Sequence, residues 1–136
     1  MRQFVRYHAD IPVSLQFEST QHEFMLQNVS LGGMACIGET EIPKGSTVTV
    51  NFDLLRPEYV SEEKVIWCRP FNDEDGRQIY ELGLEHLGER DRSRLVMVEQ
   101  ISHIEHYRNE IKLSEGRDLS GAEAAREWID KHVESI

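Results

Sequence analysis

Two short stretches hold the residues best suited to binding chemistry. "RQFVR" sets Arg2 and Arg6 four apart near the start of the chain. "NVSLGG" sets Asn28, Ser30 and Gly33 inside an otherwise apolar run, "MLQNVSLGGMACI". Arginine offers a bidentate fork for phosphate or for the O6/N7 edge of guanine, and a flat face for stacking. Lysine offers only a point charge, and the basic segment "MRQFVRYHA" contains arginine and histidine but no lysine and no acid. Asn28 and Ser30 suit either the polar edge of a ligand or the bracing of their own loop. Gly33 suits close backbone approach or a positive φ. Turn chemistry alone is the competing account of these three residues.

Other candidate chemistry is weaker. "HIEH" spaces His103 and His106 as two metal ligands could be spaced, but they stand among Glu and Arg with no third ligand in view. "NDEDGR" has the acidity of a calcium loop without its spacing, and reads as a hairpin turn ending in Gly76. Cys36 and Cys68 lie within apolar strand-like runs, as buried free thiols do. Walker-type phosphate loops, nucleophile elbows and zinc-protease signatures are absent from the sequence. The expectation is a protein that is not an enzyme and needs no metal or cofactor.

The elements that must hold these residues follow from periodicity. Ile11, Val13, Leu15 and Phe17 alternate with polar or small residues, the pattern of a half-buried strand. "HEFMLQNV", "MACI", "TVTVNFDL", "YVSEEKVIWCR" and "IYELGLEHL" add five more strands, separated by turn signals such as "IPKGS". From Asp91 to about Leu113 the period changes, and Leu95, Val98, Ile101, Ile104, Tyr107 and Ile111 form one face of a long helix. "SEGRDLSG" ends it. A second helix opens with Ser120 and Glu123 in capping-box spacing and turns Ala125, Trp128, Ile129 and His132 to one side. Trp128 must pack on the barrel, on the first helix or on a second copy of the chain. The fold class expected is mainly β: a six-stranded antiparallel β-barrel followed by a long α-helix and a second C-terminal helix.

At 136 residues the chain is long enough to bury one core. No apolar run approaches a membrane span, and no signal-peptide core is seen, so a cytoplasmic protein without membrane insertion is expected. A net charge of −10 argues against direct DNA or RNA binding. A basic arm on so acidic a chain instead suits a small anionic partner.

Taken together, "RQFVR" and "NVSLGG" resemble the paired signature of the PilZ domain family, R-x-x-x-R before the first strand and [D/N]-x-S-x-x-G about two dozen residues later. Strand order, the "VIW" and "ELGLEHL" strands and the closing helix extend the likeness to about residue 112. The resemblance implies a bacterial receptor for the second messenger cyclic di-GMP. Arg2 and Arg6, with Asn28, Ser30 and Gly33, would hold the nucleotide, and Trp67 matches a strand position that in some members lies beside a guanine. Plain core or barrel surface is the alternative role for Trp67. The organisation expected is a flexible arginine arm at 1–10, a PilZ-like barrel with its closing helix at 11–113, and a helical extension at 114–136. His86 stands where the family often has Phe, and is read as a packing variation.

On this reading, ligand binding orders the arm and changes the surface shown to an unidentified effector protein. Ordering costs about 1–2 kcal/mol per residue, so the arginines need help from apolar neighbours such as Phe4, Val5 or Tyr7. Motility, biofilm formation and related outputs are all compatible with such a receptor. A homodimer through the C-terminal helices is a further candidate assembly. The rival function is a PilZ-like interaction adaptor that binds no nucleotide.

Overall fold

The six alternating segments form six strands, because each can turn one row of apolar side chains inward while its polar row faces water. The computed structural model describes residues 6–89 and 91–133. The strands are β1 (Tyr7–Phe17), β2 (Thr20–Val29), β3 (Gly33–Gly38), β4 (Thr47–Phe52), β5 (Tyr59–Asn72) and β6 (Gln78–His86). They close a barrel in the order β1-β2-β3-β6-β5-β4, every neighbouring pair antiparallel. Ile11, Leu15, Leu26, Cys36, Val50, Val65 and Leu82 fill it and are fully shielded from solvent. Cys68 is only half buried, unlike Cys36, and both thiols are free.

β1 and β4 close the ring through three pairs, Ser14–Asn51, Leu15–Val50 and Gln16–Thr49. Bulges interrupt the register between His8 and Ile11, between Leu26 and Asn28, and between Val65 and Trp67. β1 already begins at Tyr7, so residues 7–10 of the expected arm belong to the strand, with Tyr7 and His8 paired to Val29 and Asn28 of β2 and residues 9–10 in a bulge. Burial still alternates there, with Ala9 inward between exposed His8 and Asp10, but "YHAD" has too little apolar contrast for a period-2 reading to place the start of the strand.

α1 (Arg92–Glu115) starts at Asp91, whose side chain accepts from the Arg94 amide at 3.1 Å, and ends at Gly116 in the left-handed region with φ 69°. Its inward face carries Met97, Val98, Ile101, Ile104, Tyr107 and Ile111 into the barrel's core cluster. One expectation fails at the helix start: Leu95 is 44% exposed, and the buried neighbour is Arg94, fully shielded. Apolar periodicity favours Leu95, but a network of buried oxygen acceptors draws the guanidinium inward.

α2 (Gly121–Val133) has the expected capping box, Ser120 N donating to Glu123 Oε1 at 2.9 Å and Glu123 N to Ser120 Oγ at 3.1 Å. Ala124, Ala125 and Ile129 are buried. Trp128 packs within the chain, stacked between His103 of α1 (ring centroids 5.7 Å apart) and His132 (4.4 Å). His106 lies 3.1 Å from Glu110, so the two histidines of "HIEH" serve different neighbours.

Glu127 ties α2 to α1. It accepts from Arg117 through both oxygens, at 2.9 and 3.0 Å, and from the Tyr107 hydroxyl at 2.7 Å. Arg117 first and Tyr107 second hold its carboxyl down at about 2, below the ordinary 4.5. A depressed carboxyl stabilises the fold above its unfolded value, and that stability disappears as pH falls through the folded value. The melting temperature of the native chain should therefore exceed that of Glu127→Gln above pH 4.5, and the difference should vanish near pH 2. A pH-independent difference in thermal melts would contradict this account.

Candidate functional site

On β5, Tyr59, Ser61, Glu63 and Val65 point inward, and strict alternation would send Trp67 inward as well. The bulge at Ile66 reverses the phase, so that Trp67 pairs with Gly83 on the outer face. On β2 a second bulge, at Gln27, does the same for Asn28 and pairs it with Ala35. Register then sets His8, Asn28, Ala35, Gly83 and Trp67 side by side across β1, β2, β3, β6 and β5. The centre of this row has almost no side chain. A Cβ at Gly83 would collide with the Trp67 indole, so glycine there lets the ring lie across the neighbouring strand.

The result is a recess of about 290 Å³, lined by Arg6, Asn28, Ala35, Trp67, Arg69 and Glu81 among others. Arg6 Nη1 donates to Asn28 Oδ1 at 2.6 Å, which joins the two sequence motifs. At the other wall the Arg69 guanidinium lies 4.2 Å from the Trp67 ring centre, and its Nη2 is 3.0 Å from Glu81 Oε1. Between the walls, three strand spacings of about 4.8 Å span roughly 14 Å, wide enough for a flat purine. The available chemistry is two arginine forks, one aromatic face, one amide and one carboxylate.

Ser30 and Gly33 do not line the recess; they shape the loop behind it. Ser30 is buried, and its Oγ accepts from the amides of Gly32 and Gly33, both at 3.2 Å. A Cβ at Gly33 would collide with the Leu84 carbonyl oxygen, so close strand approach is what this glycine permits. Arg2 lies outside the described residues.

Sequence reasoning missed the support beneath this loop. Arg94 donates to Ser30 O at 2.9 Å, Leu31 O at 3.2 Å and Gly33 O at 3.4 Å, and to Glu63 Oε2 at 3.2 Å. Glu63 is fully buried on β5, and its Oε2 also accepts from Ser61 Oγ at 2.9 Å and meets His86 Nδ1 at 2.8 Å. His86 is thus a polar member of this network, and not a packing variation. Polar residues at core phase, Glu63 in a strand and Arg94 in the first helical turn, were the available signal, because a buried charge needs a buried partner.

A profile of the PilZ domain matches residues 1–100. The chain belongs to the PilZ domain family. No curated protein matches the sequence. Solved structures share the fold at low identity. The PilZ domain of YcgR from Escherichia coli, a structure with c-di-GMP, is 19% identical with a TM-score of 0.64, over 83% of this chain and 98% of that one. Bacillus subtilis inhibitor of motility (MotI/DgrA) is 21% identical with a TM-score of 0.58, over 77% of this chain and 51% of its own. The PilZ domain of CeSA from a cellulose-synthesizing bacterium is 16% identical with a TM-score of 0.54, over 75% and 99%. This PilZ chain thus spans nearly all of the isolated domains and about half of MotI/DgrA. Among the described residues, no helix is long and apolar enough to cross a membrane, and no three His, Cys, Asp or Glu side chains cluster as a metal site would need.

Proposed function

We propose that this PilZ domain is a cyclic di-GMP receptor, acting in the cytoplasm by presenting a ligand-dependent surface to an effector protein. The observation that carries the reading is the 2.6 Å contact between Arg6 and Asn28, 22 residues apart, at the rim of a recess whose far wall is Trp67. Arginine forks suit both the phosphates and the O6/N7 edge of guanine. Glu81 can accept from guanine N1–H and N2–H₂, the donors that adenine lacks in that arrangement. Trp67 offers stacking worth about 1–3 kcal/mol per base. A guanine on that face competes with Arg69 for the ring, so ligand entry displaces Arg69 or sandwiches the base between the two.

Tyr7–Asp10 already belong to β1, with Tyr7 and His8 paired to β2, which confines ligand-dependent ordering of the arm to the residues before Tyr7. Arg2, as the other arginine of the first motif, contributes a second fork from that segment. Output to motility or biofilm formation belongs to the same proposal. Isothermal titration with cyclic di-GMP, against GTP and cyclic di-AMP, tests it. Saturable binding of cyclic di-GMP alone is expected, and no heat with any of the three would leave the adaptor reading in its place.

A further inference from the structure

A second concavity, of about 730 Å³, shares no lining residue with the recess. It runs between the start of β5, the segment after β6 and the first turns of α1. Val60 and Leu87 stand at it 54% and 48% exposed, with Val96 and Met97 deeper. Val60 occupies an outward position on β5, where its neighbours in phase are Glu62 and Lys64. Together with Leu87 it gives the groove an exposed apolar rim.

Charge singles out the occupant. Among the described residues, Glu58, Glu62, Glu89 and Asp91 line the groove with a single guanidinium, Arg92, and His86 is already engaged with Glu63 and the Glu89 carbonyl. Asp91 caps α1, so the positive end of that helix is answered from within. Asp53 stands beside Glu58, just outside the groove lining. Burial first, then a hydrogen bond with Glu58 and the charges of Glu58 and Glu23, push the Asp53 carboxyl up, with Arg56 opposing.

We infer that this groove docks a cationic amphipathic segment of a partner protein, its apolar side on Val60 and Leu87 and its Lys/Arg side on Glu58, Glu62 and Glu89. The inference deepens the receptor reading and rests on it for the existence of a partner. Two links join the groove to the motif loop. The His86 amide donates to Gly32 O at 2.9 Å, and Arg94 holds Ser30, Leu31 and Gly33 through the Glu63 network that also holds His86.

The test is a titration of the isotope-labelled full chain, followed by backbone amide shifts, with three synthetic helical peptides of equal length. One is a Lys/Leu amphipathic peptide, one keeps the Leu positions with Glu for Lys, and one scrambles the Lys/Leu sequence so that leucines surround the helix. Each is run with and without cyclic di-GMP, so failure of nucleotide binding and failure of docking are read separately. Saturable shifts at Val60, Leu87 and Val96 are expected with the first peptide, at least about tenfold tighter than with the other two. Val60→Glu should weaken the first peptide about tenfold while leaving the spectrum folded, since Val60 is exposed. Equal affinity for all three peptides, shifts scattered over the acidic surface, or no binding would overturn the inference. So would concentration-dependent shifts of the same amides in the protein alone, which would identify a second copy as the occupant.

Discussion

Arg6→Ala should weaken cyclic di-GMP by at least about hundredfold, equivalent to about 2.7 kcal/mol, because one to two charge-assisted hydrogen bonds at about 1.5–3 kcal/mol each leave with the guanidinium. The loss should fall on binding alone. Arg6 is exposed and its bond to Asn28 is at the surface, so urea unfolding should be unchanged. Arg6→Lys should recover only a small part of the affinity, since an ammonium keeps the charge and loses the fork. Titration calorimetry on the three proteins reads this directly. Full affinity in Arg6→Ala would remove the first motif from the site.

Arg94→Ala should have the largest effect on stability. The guanidinium is fully buried and answers Glu63 together with three backbone carbonyls of the motif loop. Removing it leaves the Glu63 carboxylate buried without its cation, and Glu63 Oε1 already has no partner among the described residues. Breaking such a pair costs about 3–5 kcal/mol, a large part of the 5–15 kcal/mol typical of a domain. Arg94→Lys should lie between, because three rotatable donors on one atom cannot reach four spread acceptors. Urea denaturation with a fixed m-value is the measurement, and a loss below about 1 kcal/mol would show that the network is not what holds the loop. Nucleotide affinity should fall along with stability here, in contrast to Arg6→Ala.

The contrast between Arg6 and Arg94 also marks what the sequence made legible. Strands and helices followed from local periodicity, and the capping box at Ser120 and Glu123 appeared as spaced. The pairing of "RQFVR" with "NVSLGG" was visible as a motif, and the structure brings Arg6 onto Asn28. What stayed hidden depended on register. Bulges at Gln27 and Ile66 decide which face Asn28 and Trp67 occupy, and no local pattern announces a one-residue insertion in a ladder. Arg69 and Glu81 join the recess only because β5 and β6 align them. Arg94 was concealed by its charge, since a pattern search assigns the inner face to Leu95 next door.

The three-pair seam between β1 and β4 bears on how the barrel assembles. Hairpin-linked neighbours such as β1–β2 and β5–β6 can pair soon after collapse, because their loops are short and cost little entropy to close. The seam joins strands far apart in the chain and has few ladder bonds to gain, so it is the natural last step in folding and the first place to open. A closed ring has no free strand edge; an open seam has two, on β1 and β4, each a template for pairing with another chain. Leu15 and Val50, fully buried at the centre of that seam, therefore guard against aggregation as well as filling the core.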